Sequence, residues 1–154
     1  MNHQETIKRL YVARMLSTSS DYELFDDAFE KLEEPITSDD VYEICKVFHD
    51  GTNDDEVMFG LVHLIEQLER DEYLKCIAKC TPHMEEAPEW AKLLNKRIIN
   101  SQQDFNRYIA IINDMDYHGK DKILSLLKAI KEDNPQRFGE KIDLIFNAAK
   151  GTNG

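Results

Sequence analysis

The chain has 154 residues, 42% of them hydrophobic and 32% charged, and a formal net charge of −11. That length and balance suit one compact domain that buries a core without disulfides or a structural metal, and they exclude disordered, collagenous and low-complexity chains. The 30 Asp and Glu against 19 Lys and Arg disfavour nucleic acid and anionic membranes as partners and favour basic proteins.

No targeting segment is read at the start: Met1 to Leu16 carry Lys8, Arg9 and Arg14 and no uninterrupted apolar core. Ile7, Leu10 and Tyr11, with Met15 or Leu16, mark a first helix. Residues 17–20, Ser-Thr-Ser-Ser, supply a loop and an N-cap for a second, in which Tyr22, Phe25, Phe29 and Leu32 recur at helical spacing until Pro35. Ser38 is expected to cap a third helix with Val41, Ile44, Cys45 and Phe48, stopped by Gly51. Asn53 is expected to cap a fourth that runs to about Asp71. Its stretch Val57 to Ile65 contains Gly60 and His63 and reads as a core helix, not a membrane span. A fifth helix covers Tyr73 to about His83.

Pro88 sits just inside the start of a sixth helix bearing Trp90, Leu94 and Ile98. Ser101 opens a seventh with Phe105, Tyr108, Ile109 and Ile112. Gly119 is expected to separate it from an eighth with Ile123, Leu126, Leu127 and Ile130. Asn134-Pro135 opens a ninth with Phe138, Ile142 and Ile145. No segment alternates with period two long enough to be a strand. The fold class is therefore all-α: about nine helices in one domain over residues 1–150, with 151–154 as a flexible tail. Antiparallel pairs over 54–83, 86–115 and 120–149 suggest a HEAT/armadillo-like helical solenoid with an acidic helical cap, or an irregular bundle.

The charge is uneven. Asp21 to Glu56 holds 14 acidic residues against Lys31 and Lys46 alone, while residues 81–154 are neutral overall. Some of these carboxylates suit helix starts, where the dipole favours them; the density as a whole points to a functional field. On the fourth helix, Phe59 with His63 and Glu66 falls outside the main apolar arc, as a second packing contact or as an interaction patch. On the sixth, Arg97 falls inside the apolar arc; it either pairs with Glu66 as a structural ion pair or snorkels to water.

No catalytic, nucleotide or cofactor motif is present, and no cofactor is expected. Cys76, Cys80 and His83 share a helix face but lack a fourth ligand, so no metal site is assigned. Cys45, Cys76 and Cys80, an odd count, read as reduced thiols of a cytoplasmic protein.

Two stretches carry a resemblance: Asp-Asp-Glu-Val-Met-Phe-Gly-Leu-Val-His-Leu-Ile-Glu at Asp54 to Glu66, and Ala-Pro-Glu-Trp-Ala-Lys-Leu-Leu-Asn-Lys-Arg-Ile-Ile-Asn-Ser at Ala87 to Ser101. With the helical layout over residues 20–145, the chain resembles the all-helical immunity protein 30 family of bacterial polymorphic-toxin systems. The resemblance implies a small cytoplasmic protein that binds and blocks a cognate toxin domain, with no catalytic residues. It assigns no binding residues.

Candidate toxin-binding residues follow from the charge pattern instead. They are Asp21, Tyr22, Glu23, Asp26, Asp27, Glu30 and Glu33 on the second helix and Asp39, Asp40 and Glu43 on the third. Asp54, Asp55 and Phe59 on the fourth complete them. Tyr22, Phe59, Tyr42 and Tyr73 are possible aromatic anchors. The expected partner is a toxin C-terminal domain with a basic, nuclease-like cleft; nucleic acid and membrane are not expected partners. The rival readings are a general acidic helical scaffold and a metal-dependent hydrolase.

Overall fold

The computed structural model describes residues 3–32 and 35–151. Among them are nine α-helices, one 3-10 turn and no strand, so the protein is all-α. The chain packs as two compact units, residues 1–76 and 77–154.

In the first unit, α1 (His3–Ala13) packs on α2 (Ser19–Glu30) and on α3 (Ser38–Ile44), and α3 packs on α4 (Asp55–Ile65). Leu10, Ala13, Phe25, Ala28, Val41, Ile44, Phe48, Met58, Leu61 and Ile65 form its core. The helix starts are set by side chains one residue from the expected caps. Thr37, not Ser38, caps α3, and its N3 partner Asp40 completes a reciprocal capping box. Asp54, not Asn53, caps α4 by accepting from the Val57 N–H at 3.1 Å. Asn53 instead uses its side chain to hold the α1–α2 loop, donating to the Met15 carbonyl and to Ser17 Oγ, both at 3.0 Å. In that loop Leu16 takes a left-handed backbone with φ 50°, and its side chain is buried.

α4 ends at Ile65, short of Asp71, and α5 (Arg70–Cys80) starts before Tyr73. Glu69 starts α5 early: its carboxylate accepts from the Asp71 and Glu72 N–H groups. The 3-10 turn Thr81–His83 follows.

In the second unit, α6 (Pro88–Ile99) packs on α7 (Gln102–Asn113), and α8 (Tyr117–Asp133) packs on α9 (Pro135–Gly151). α6 also meets α8, and α7 meets α9. Gly119 does not separate helices. It lies in the first turn of α8, where its N–H bonds the Asp116 cap at 2.8 Å. A buried polar chain runs through this core. Tyr108 donates to Asn95 Oδ1, Asn95 Nδ2 donates to Thr81 Oγ1 at 3.0 Å, and Thr81 donates to the Ile77 carbonyl at 2.7 Å. Burial pushes the Tyr108 phenol far above its ordinary range, so it stays a neutral donor. Lys92 bridges to Asp133 at 3.1 Å, Lys131 pairs with Asp143, and Lys141 donates to the Ile99 carbonyl at 3.0 Å. Hydrogen bonding to Asp133 raises the Lys92 pKa against a smaller opposing effect of burial.

No helix among the described residues is long and apolar enough to cross a membrane. Cys45, Cys76 and Cys80 are free thiols, all buried.

Candidate partner-binding face

α2 begins where Thr18 accepts from the Asp21 N–H at 3.1 Å and Asp21 accepts from the Ser17 N–H at 2.9 Å. The helix then turns Phe25 and Ala28 to the core and Glu23, Asp26, Asp27 and Glu30 to solvent. Of these four carboxylates only Asp27 has an ion-pair partner among the described residues, Lys31 at 2.9 Å.

Two contacts fix how α2 and α4 lie. Tyr22 donates from its hydroxyl to Asp54 Oδ2 at 2.8 Å, joining the first turn of α2 to the cap of α4. Further along, Gly60 lies beside the Phe29 ring, where a Cβ would meet Cε2 at 3.6 Å. The steps from 22 to 29 and from 54 to 60 each cover about 10 Å at the usual helical rise. The helices therefore run in the same direction, bridged by these two aromatic side chains. With both core faces pointing the same way, the helical turn of about 100° per residue puts both outer faces on one side. That side carries Glu23, Asp26, Asp27 and Glu30 from α2 and Asp55, Glu56, Phe59 and His63 from α4. Phe59 is half-buried and meets the exposed His63 ring edge-on, with centroids 5.0 Å apart.

The Tyr22–Asp54 bond is electrostatically marked at both ends. The Asp54 carboxyl is held below the usual carboxylate range, first by the Val57 N–H and then by Tyr22. The Tyr22 phenol is raised because ionising it would lose its bond to that carboxylate.

The remaining candidates sit elsewhere. Asp40 is buried and accepts from the Thr37 N–H at 2.9 Å and from His3 Nδ1 at 2.8 Å. Burial alone would raise its pKa, but the bonds to His3 and Thr37 outweigh this and lower it. Asp39 is exposed on α3, and Glu43 pairs with Lys46 at 3.1 Å. Glu33 lies outside the described residues. Tyr42 is half-buried with Lys46 over its ring at 5.1 Å, and Tyr73 is fully buried beneath Arg70. Glu66 is half-buried at the end of α4, and Arg97 is exposed in the last turn of α6. Glu56 belongs to the face but was not singled out in the sequence; its signal was a carboxylate one turn before Phe59. Among the described residues, no group of three or more His, Cys, Asp or Glu is arranged to hold a metal ion.

The fold and this face make the chain an acidic, all-helical protein with an aromatic centre on its charged side. The sequence profile of immunity protein 30 matches residues 12–108, well over half of the chain, and the protein belongs to that family. Both stretches that carried the resemblance, and both helices of the acidic face, lie within the match. The family makes it an immunity protein with a toxin as its partner. Searches of curated proteins and of solved structures returned no match.

Proposed function

We propose that this protein neutralises a cognate toxin by direct, non-catalytic binding, and that the face shared by α2 and α4 is the surface that seats on it. The toxin domain is the C-terminal part of a polymorphic toxin, met in the cytoplasm, with a basic cleft of the kind a nuclease needs to hold phosphates. The observation that carries the reading is the parallel alignment of α2 and α4. It gathers Glu23, Asp26, Asp27 and Glu30 with Asp55 and Glu56 around a partly exposed Phe59.

Physical chemistry gives the two parts separate work. A carboxylate field of this density draws a cationic cleft from a distance and raises the association rate by about 10–10³-fold. Residence then depends on a desolvated anchor, a role that the Phe59 ring beside His63 would fill. Once seated, the face excludes the substrate from the cleft.

Reversal of Glu23, Asp26 and Glu30 to Lys tests this. The variant should melt like the parent, because all three side chains are exposed. It should associate with the toxin domain about tenfold or more slowly at low salt, with the gap closing toward 1 M salt. An unchanged association rate at low salt removes this face from the mechanism.

A further inference from the structure

The first unit carries a second surface with the opposite sign. Of the five basic residues in 1–56, Lys8, Arg9 and Arg14 lie on or just after α1 and Lys46 lies just after α3. α1 also leaves apolar side chains in solvent: Tyr11 is 44% exposed and Val12 65%. A cleft of about 350 Å³ runs between α1 and α3, lined by Ile7, Lys8, Tyr11 and Val47 and by the Glu43–Lys46 ion pair at 3.1 Å. A second hollow of about 440 Å³ flanks α1 on its other side, lined by Lys8, Arg9, Val12 and Leu24 of α2 with Glu5. The Arg14 guanidinium lies 4.0 Å over the Tyr11 ring and donates to the Lys46 carbonyl at 3.2 Å, tying the cleft's two walls together.

This surface has an apolar centre and a cationic rim, the usual anatomy of a docking patch. The α2/α4 face has an aromatic centre and an anionic rim. Each is the complement of the other, and both are present on every copy of the chain. We propose that the α1 surface docks the α2/α4 face of a second copy, head to tail. The two patches differ, so the contact is heterologous; it builds concentration-dependent chains or rings, not a closed two-fold dimer. The inference rests on the reading of α2/α4 as a docking face. It adds that the face is covered by another copy until a toxin competes for it.

Sedimentation of the full chain at physiological salt, without any toxin, tests the proposal. The average mass should rise above one chain as concentration increases. Two variants with surface changes only, Lys8→Glu with Lys46→Glu and Asp26→Lys with Glu30→Lys, should each lose about tenfold or more in self-affinity. Their equimolar mixture should regain it, because each variant's reversed patch matches the other's. A parent chain that stays at one-chain mass at every concentration overturns the proposal, as does a mixture that fails to regain association. Toxin neutralisation by the Lys8→Glu, Lys46→Glu variant reads the binding face separately. It should be at least as good as the parent's, and it would survive a failure of self-association.

Discussion

The two units use charge in opposite ways. Residues 1–76 hold 19 acidic and 7 basic side chains, a net of −12, whereas residues 77–154 hold 11 and 12, a net of +1. In the second unit charges join helices: Lys92 reaches Asp133, Lys131 reaches Asp143, and Lys141 caps the end of α6. Its core adds the Tyr108–Asn95–Thr81 chain. In the first unit Glu23, Asp26 and Glu30 face water, and polar ties such as Tyr22 to Asp54 and His3 to Asp40 serve to place helix starts. Polar groups turned inward specify packing; a surplus of one sign turned outward costs self-repulsion and makes a field. Stability should therefore be most sensitive to substitution in the second unit, and recognition to substitution in the first.

The largest effect on stability is expected at Asn95. Asn95→Ala strips the buried Tyr108 hydroxyl and Thr81 of a partner at a site with no exposure. Denaturant unfolding should report a loss of about 2–4 kcal/mol. A loss under 1 kcal/mol would mean that the network carries little of the second unit.

A smaller effect is expected at Asp40→Asn, about 1 kcal/mol at pH 7, from the charged acceptor shared by His3 and Thr37. Its pH dependence has a fixed sign. The folded-state pKa of Asp40 is lowered, so its contribution is complete above the unfolded value of about 4 and is lost as pH falls through the folded one. The gap between parent and variant should thus close below about pH 4, and a gap that widens there would contradict this assignment.

The smallest effect is a spectroscopic one. Asp54→Asn should bring the alkaline titration of Tyr22 down toward the ordinary tyrosine range, read by ultraviolet absorbance or NMR. An unmoved titration would detach the two helix starts from each other.

Much of this comparison was legible in the sequence. The three- and four-residue recurrence of Tyr22, Phe25 and Phe29 gave α2, and the charges between them gave its outer face. Caps were displaced by one residue because Thr37 and Ser38, like Asn53 and Asp54, are adjacent residues of similar capping strength; only the loop geometry chooses between them. The end of α4 was hidden because Leu68, though outside the helix, is buried and keeps the apolar period going. Gly119 looked like a break because glycine is a poor helix former, a penalty that matters little in a first turn capped by Asp116. The parallel alignment of α2 and α4 was not legible, because it depends on Tyr22 meeting Asp54 and Phe29 meeting Gly60 across the fold. Periodicity reads one helix at a time and cannot supply such pairings.

The most direct test is a hydrogen-exchange footprint of the protein bound to its toxin domain. Slowed exchange is expected over residues 19–30 and 55–65, with residues 102–151 left as in the free protein. Slowing confined to residues 102–151, with α2 and α4 still exchanging freely, would contradict this.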